Sequence, residues 1–598
     1  MRFSIHLLKV LVAAAGLWPA SPAGAQPAQV PAVGIQGRLQ SFAKSSARTV
    51  AADAMGLTQS GRQLWALEPS TAADPSKPML VIVAGLDDQA NGAGVVLQLL
   101  EWWFSNPAAV PLRQRWQIAA LPCARPDSCG EGPTTAPGEA LAFPPAGSFF
   151  DGKVDPTPQY VWRWVTMQAP TVVVDVRGSA LPASWEANTL AMPLVSGAAP
   201  AQAGTLAAAL ETAGKGAAWS APVPALRLTS SPDLAVEALR RMLGRAASAA
   251  SPLRTTIVTR AARQPLDVAR LLAPKYPAQP IMSYIPALAW SGSLRLAQMT
   301  GETRFRDKPL ADMAPFLSGK TPAIAEPYLL TSLAGHLAFA DLAAIDGNQE
   351  AGVLARKGAD FILPEARSQE AGGRSQTSEE IVRFPRKWTD DMFMATSVLA
   401  RVGALTADER YAGAAGRLLT SYAGDLQRSD GVFIHAKEGP YAWGRGNGFA
   451  AFGLMEALTY LPAGWSERPA VLASFQKLMK GLAAQQAPDG MWRQVVDEPG
   501  SYREFTVTAM VLTAVARGVR LGWLEPGEFR PVADRAWRGL LAHIAEDGTL
   551  LDVCTGTGSG PTKEYYLTRA GLAGPDDRGG AMGLTAAIEM ELLRGRLR

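Results

Sequence analysis

Three Asp-Gly steps punctuate the C-terminal half at a nearly constant interval: "SDGVF" at Asp430, "PDGMW" at Asp489 and "EDGTL" at Asp547, 59 and then 58 residues apart (430 to 489 to 547). Each interval holds two amphipathic stretches, as in "RPAVLASFQKLMKGLAAQQ" (468–486) and "FTVTAMVLTAVARGVRLG" (505–522). A period of this size with two helices per unit is the signature of an α/α array, in which no single hairpin can bury its apolar face alone. The about 330 residues from 264 onward accommodate six such hairpins, which predicts a closed (α/α)6 barrel, with an open solenoid as the alternative. The Asp-Gly steps end helices and should lie at one rim, a role that requires no chemistry of them.

The N-terminal half has a different pattern. Short apolar runs, "PMLVIVAGL" (78–86), "WQIAALPC" (116–123) and "TVVVDVRG" (171–178), alternate with helical spacing such as "VVLQLLEWWF" (95–104). Strand and helix in alternation predict a parallel or mixed sheet with helices on its faces. The pattern changes between Ser251 and Gln264, so the chain divides into an α/β domain over 26–258 and an all-α domain over 264–598.

Residues 1–25 carry early basic residues (Arg2, Lys9), an apolar stretch broken by Pro19, and small residues at Ala23 and Ala25. This is the layout of a secretory signal with an A-x-A cleavage site, so export to the periplasm or beyond, free of the membrane after cleavage, is the expectation, with an N-terminal membrane anchor as the alternative. A disulfide between Cys123 and Cys129 suits that compartment, and unpaired core cysteines are the alternative. With 57 basic and 53 acidic residues the net charge is only +4. No dense basic run occurs, which argues against nucleic acid as a partner.

In the first half, "GLTQSGRQLWALEPS" (56–70) followed by "KPMLVIVAGLDDQANGAG" (77–94) resembles the zinc carboxypeptidases. The resemblance places metal-binding histidine and glutamate at positions that here read Asp87 and Ala90, and a further histidine where Arg177 stands. The four histidines are His6, His336, His435 and His543, so none lies in the mature part of this half. A zinc site usually draws on at least one histidine. The resemblance therefore implies a metal-free relative acting as an accessory domain.

The second half contains, in order, "KWTDDMFM" (387–394), His435 in "DGVFIHAKEG", "WGRGNGF" (443–449), "DGMWRQVVDEPGSYREFTVTAM" (489–510) and "DVCTGTGSG" followed by "EYY" (552–566). This set resembles glycoside hydrolase family 105, the unsaturated rhamnogalacturonyl hydrolases, and the related unsaturated glucuronyl hydrolases. The resemblance implies an (α/α)6 barrel, no cofactor and no metal. Its implied substrate is an oligosaccharide ending in a Δ4,5-unsaturated uronic acid, and its implied chemistry is hydration of a vinyl ether. Asp390 stands at the position of the family's general acid/base. Alone, the dipeptide Asp390-Asp391 would be read as first-turn acids of a helix with Thr389 as N-cap. Asp391 is the better candidate for that supporting role. The substrate contacts implied are Trp388, His435, Trp443 as a sugar-stacking surface, Arg445 as a planar cation for carboxylate or hydroxyls, and Phe449. Gly444, Gly446 and Gly448 would let backbones approach closely. In "YLLTSLAGHLAFADL" (328–342) no aspartate occupies the expected place of the family's second, upstream aspartate; His336 is the nearest polar candidate and either touches substrate or lies in the core. That gap keeps two other readings open: a sugar-binding scaffold without turnover, and another (α/α)6 enzyme such as an epimerase or lyase.

Overall fold

The computed structural model describes residues 32–70, 74–87, 91–129, 140–147, 149, 155–213, 220–246, 250–364 and 378–595. Residues 1–25, where a secretory signal is expected, and Ala90 lie outside them.

Eight strands form one mixed sheet: β1 (Val50–Leu57), β2 (Gln63–Pro69), β3 (Met79–Ala84), β4 (Gln117–Leu121), β5 (Val172–Gly178), β6 (Ser184–Ala187), β7 (Ala199–Pro200) and β8 (Ala225–Ser230). Their order is β1-β2-β4-β3-β5-β8-β6-β7. The inner four, β4, β3, β5 and β8, are parallel, and antiparallel strands flank them. The three apolar runs read as strands are β3, β4 and β5 of this parallel centre, where both faces are covered. Leu80 and Ile82 face α1 (Ala32–Ser45), α2 (Asn91–Ser105) and α4 (Pro232–Arg245). Val81 and Val83 face α3 (Thr157–Met167) and α5 (Pro252–Ala261). Cys123 and Cys129 are disulfide-bonded, and Cys554 is buried and unpaired. Asp87 and Arg177, the two described positions at which the resemblance places metal ligands, pair with each other at 2.6 Å.

The second half is a ring of six helical hairpins. Its helices are α6 (Pro265–Leu272), α7 (Tyr284–Thr300), α8 (Arg304–Leu317), α9 (Leu337–Asp346), α10 (Gln349–Ile362), the pair α11 (Thr389–Met394) and α12 (Thr396–Thr406), α13 (Glu409–Leu426), α14 (Gly444–Tyr460), α15 (Arg468–Ala484), α16 (Phe505–Arg520), α17 (Pro526–Ala542) and α18 (Asp577–Arg594). Inside, α7 packs on α9, α9 on α12, α12 on α14, α14 on α16, α16 on α18, and α18 back on α7. Outside lie α8, α10, α13, α15, α17 and α6, each packed on its own inner helix. The contact of α18 with α7 closes the barrel and excludes the open solenoid. The Asp-Gly turns fit between outer helices: Gly431 and Gly490 have positive φ (98° and 92°). A Cβ there would strike the backbone of α15 at Lys477 and of α17 at Arg535, respectively.

A belt of charge runs through the far half of the inner helices. Asp341 on α9 accepts from Arg401 on α12 at 2.8 Å, and Arg401 also bonds Glu456 on α14. Glu456 pairs with Arg517 on α16 at 3.2 Å. Glu589 on α18 takes Arg517 at 2.7 Å, Arg295 of α7 at 2.8 Å and Arg520 at 3.0 Å. Six helices that must each bury polar groups thus satisfy one another in series.

The two domains meet across a buried polar interface. Arg503 reaches Asp53 at 3.0 Å and Glu68 at 2.9 Å in the sheet domain, and Asp489 at 3.2 Å in its own. Arg493 also grips Asp53, at 2.5 Å; the two arginines lie on a short antiparallel pair, β9 (Trp492–Arg493) and β10 (Arg503–Glu504). Trp164 donates to Glu68 at 2.8 Å. Arg260, in the helix that ends the sheet domain, pairs with Glu546 of the barrel at 2.7 Å.

Candidate active site

The N-terminal ends of the inner helices hold the polar residues at the other end of the barrel. Tyr284 opens α7, Asp390 is the second residue of α11 and Arg445 the second of α14. Glu504 caps α16, and Arg578 is the second residue of α18.

Asp390 is 8% exposed, and its Oδ2 lies 3.0 Å from Nε2 of His435. Nδ1 of His435 lies 2.9 Å from the Tyr566 hydroxyl. Two proton arrangements satisfy this chain. In one, Tyr566 donates to Nδ1 and Nε2–H donates to the Asp390 carboxylate. In the other, a protonated Asp390 donates to Nε2 and Nδ1–H donates to Tyr566. Either way His435, fully buried, holds one oxygen of Asp390 fixed.

Asp391 has a separate task. Its Oδ2 accepts from the backbone N–H groups of Arg386 and Lys387 at 2.7 and 2.8 Å, and from the Tyr422 hydroxyl at 2.7 Å. It thereby holds the turn before α11, in which Lys387 has φ +64°. Burial pushes its carboxyl up to about 7, with the Asp390 charge adding and the Tyr422 and backbone hydrogen bonds opposing. The expected N-cap role of Thr389 is corrected. Trp388 is the N-cap, without a side-chain cap bond, and Thr389 is already helical.

The glycines of "WGRGNGF" bring α14 against this site. A Cβ on Gly446 would lie 2.8 Å from the Thr389 hydroxyl, 3.0 Å from the Trp443 ring and 3.3 Å from the His435 ring. One on Gly444 would lie 2.6 Å from the Arg493 carbonyl. Asn447 ties the turn together, accepting from Phe433 N at 2.8 Å and donating to the carbonyls of Phe433 and Trp443 at 2.9 and 3.0 Å.

Several of the expected substrate contacts lie behind the site and not in it. His435 has both ring nitrogens engaged, so it orients Asp390 and does not face a sugar. Trp443 is 1% exposed, with its ring 4.6 Å from that of His435, and is packing beneath it and no stacking platform. Arg445 is 2% exposed. Its guanidinium donates to the carbonyls of Cys554 and Thr555 at 2.8 and 2.7 Å. Burial opposes its charge and nearby acidic groups, including Glu504 and Asp390, outweigh it, so its pKa is raised. Phe449 stacks on Phe393 and meets Tyr284 edge-on in the core. His336 is a core residue: fully buried, donating from Nδ1 to the Leu333 carbonyl at 2.8 Å, and packed on Gly358, with burial pushing it down to about 4. Trp388 alone of these keeps a partly exposed face. It lies 5.3 Å from the His435 ring, with Nε1 donating to Glu438 at 2.6 Å.

The opposite wall was not assigned from the sequence. β11 (Leu550–Cys554) pairs with β12 (Gly571–Gly574), and the segment between them carries Tyr565 and Tyr566. Cys554 is clamped: its N–H donates to Glu504 at 2.8 Å, and its carbonyl accepts from Arg445 and from Arg578 at 2.9 Å. Gly558 donates to the Tyr565 hydroxyl at 3.0 Å, and a Cβ there would sit 3.7 Å from the Trp388 ring. Tyr284 interacts electrostatically with Asp390, Arg445 and Arg578, and burial raises its pKa. The quoted "EYY" contained Tyr566, but a phenol's role depends on which element it meets 131 residues away. Among the described residues no group of three or more His, Cys, Asp or Glu is arranged to hold a metal ion.

Residues 260–593, more than half of the chain, match the family model described as Glycosyl Hydrolase Family 88. The chain belongs to that family. Among its relatives is an unsaturated 3S-rhamnoglycuronyl hydrolase of Alteromonas sp., 28% identical over 173 residues, covering 27% of this chain and 42% of that protein. Another is Protein Atu3128 of Agrobacterium fabrum, 32% identical over 177 residues, covering 26% of this chain and 74% of that one. The unsaturated rhamnogalacturonyl hydrolase YesR of Bacillus subtilis is 25% identical over 193 residues, 31% of this chain and 54% of that one. The chain thus spans about two fifths to three quarters of the length of these relatives. A family 105 glycoside hydrolase structure from C. acetobutylicum overlaps 54% of this chain and 99% of its own, at 20% identity and a TM-score of 0.48. The names of the Alteromonas and Bacillus relatives agree with the resemblance to unsaturated uronyl hydrolases drawn from the ordered motifs.

Proposed function

We propose that this chain is a hydrolase that releases a Δ4,5-unsaturated uronic acid from the non-reducing end of acidic oligosaccharides, with Asp390 as general acid and base. The observation that carries the reading is a carboxyl group held at one oxygen by the buried His435–Tyr566 pair, beside the partly exposed ring of Trp388. A single oriented acid suits hydration of a vinyl ether, in contrast to the two-carboxylate arrangement of most glycosidases.

In this scheme the Asp390 carboxyl gives its proton to C4, and positive charge develops over C5 and the ring oxygen. The carboxylate so formed takes a proton from water as the water oxygen bonds to C5. The resulting hemiketal opens by breaking C5–O5, and the hemiacetal left at C1 collapses to aldehyde and free aglycone. In the first proton arrangement Nε2–H of His435 donates to Oδ2 throughout, so Oδ1 is the oxygen that gives its proton to C4 and then takes one from water; the second arrangement would turn the Asp390 proton toward His435 and away from substrate. Trp388 offers the apolar face on which a sugar ring stacks.

We further infer export, supported by the leader composition and by the Cys123–Cys129 disulfide. The test is to add lyase-generated unsaturated disaccharides and follow the ultraviolet absorbance of the double bond, which should disappear. Asp390→Asn should abolish the loss. A variant that retained wild-type turnover would refute the assignment of Asp390, and an inert wild-type protein across the disaccharide panel would refute the activity.

A further inference from the structure

The wall of the site formed by β11 and the segment after it is held from the sheet domain as well as from the barrel. Asp552, two residues before the clamped Cys554, is 2% exposed and has φ +58°, a left-handed conformation uncommon for a non-glycine residue, in the register shift between Leu550 and Val553. Its carboxylate lies 3.1 Å from Nε of Arg163 and 3.5 Å from Nε2 of His543. Arg163 belongs to α3 of the sheet domain, 389 residues earlier in the chain (163 to 552). The contact is a close ion pair whose N–H is not aligned as a hydrogen bond. A second sheet-domain residue supports the same hairpin. Phe149 bridges through its backbone to Gly571 of β12, and its ring stacks on Tyr502 at 5.1 Å, with planes 8° apart. Since β11 and β12 pair at Cys554 and Gly571, both anchors act where the hairpin hands the chain to the site.

We propose that Arg163 is a positioning residue for the active site. By neutralising Asp552 in its left-handed conformation, it fixes the strand that delivers Cys554 to Arg445 and Arg578, and the Tyr566 hydroxyl to His435. The sheet domain then completes the site in the barrel. This deepens the reading of Asp390 as the reacting acid and rests on it for its kinetic consequence, while the anchoring itself does not depend on that reading. Burial is what gives the pair its leverage: an uncompensated carboxylate at a nearly inaccessible position moves toward water, and the strand moves with it.

Three variants of the full chain test this: Arg163→Leu, Arg163→Lys, and the double variant Arg163→Leu with Asp552→Asn. Two measurements are made on each. One is kcat and KM on an unsaturated uronyl disaccharide. The other is the rate at which the buried thiol of Cys554 reacts with an aromatic disulfide reagent under native conditions. Cys554 is the one cysteine of three outside the disulfide, so it reports on the hairpin directly. Arg163→Leu should lower kcat about tenfold or more, with KM within about threefold, and speed Cys554 labelling about tenfold. Arg163→Lys and the double variant should restore most of both, the first by returning the charge and the second by removing the need for it. Wild-type kcat and labelling in Arg163→Leu would overturn the proposal. So would a failure of both partner variants to rescue, including the case in which Arg163→Leu does not fold. If the wild-type protein turns over none of the disaccharides, the activity reading fails, and the labelling rates alone decide the anchoring: acceleration with rescue supports it, and unchanged rates overturn it.

Discussion

Replacing Glu589 with glutamine removes one charge from the centre of the barrel's belt and leaves three guanidinium groups facing an amide. Glu589 is fully buried, with Arg517, Arg295 and Arg520 at 2.7, 2.8 and 3.0 Å. Burial works against its ionisation, but the three arginines more than offset it and hold the carboxyl down at about 2. Against an ordinary value of about 4.5, that depression corresponds to about 3 kcal/mol of stability near neutral pH. Stranding a buried partner typically costs about 3–5 kcal/mol, so the two routes agree on scale. For a unit of this size, each kcal/mol moves the melting temperature by about 2 °C, and Glu589→Gln should melt about 5–10 °C below wild type at pH 7. The folded pKa lies below the unfolded one, so the contribution is present above about pH 4.5 and is lost as pH falls toward 2. Calorimetric scans of both proteins between pH 7 and pH 3 should therefore show the gap narrowing on the acid side. No gap at pH 7, or a gap as wide at pH 3 as at pH 7, would refute this account of the belt.

Tyr566→Phe leaves Nδ1 of His435 buried without its partner, at a cost of about 1–3 kcal/mol. It should lower kcat about 5- to 150-fold with little change in KM, measured by double-bond absorbance. Gly446→Ala places a methyl 2.8 Å from the Thr389 hydroxyl and 3.0 Å from the Trp443 ring. It should destabilise by about 1–3 kcal/mol and reduce activity at temperatures where the fold persists, as read by denaturant melts alongside rates. The Asp391 carboxyl, pushed up to about 7, gains its charge beside Asp390 as pH rises through neutrality. The pH profile of kcat should show a limb near 7 that disappears in Asp391→Asn.

The barrel was legible because its signal is repetitive: Asp-Gly turns at a fixed interval, each followed by helical spacing. Three of the four parallel strands were legible because strands buried on both faces are written as unbroken apolar runs; β8, interrupted by Arg227, was not. Asp390 was legible as chemistry only through its order relative to His435 and "WGRGNGF". The roles within that set were not. Arg445 and Trp443 look like sugar ligands by residue type, yet burial decides their tasks, and burial depends on helices far away in sequence. The belt was invisible for the same reason. Asp341, Arg401, Glu456, Arg517 and Glu589 lie on five different helices far apart in sequence, and only ring closure aligns them. Asp552 and Arg163 belong to different domains, and nothing local to either hints at the other.

The buried interface at Arg503 bears on how this protein can be taken apart. A barrel cut free near residue 262 would expose the apolar surface around Tyr502 and present Arg493 and Arg503 without Asp53 and Glu68. The sheet domain alone would carry two acids, one of them beneath Trp164, with no cation to match. Neither half is a ready-made module, so recombination that joined this barrel to a different leading domain would have to carry both sides of the ionic contact together. The peptide linking the halves is the least of what unites them.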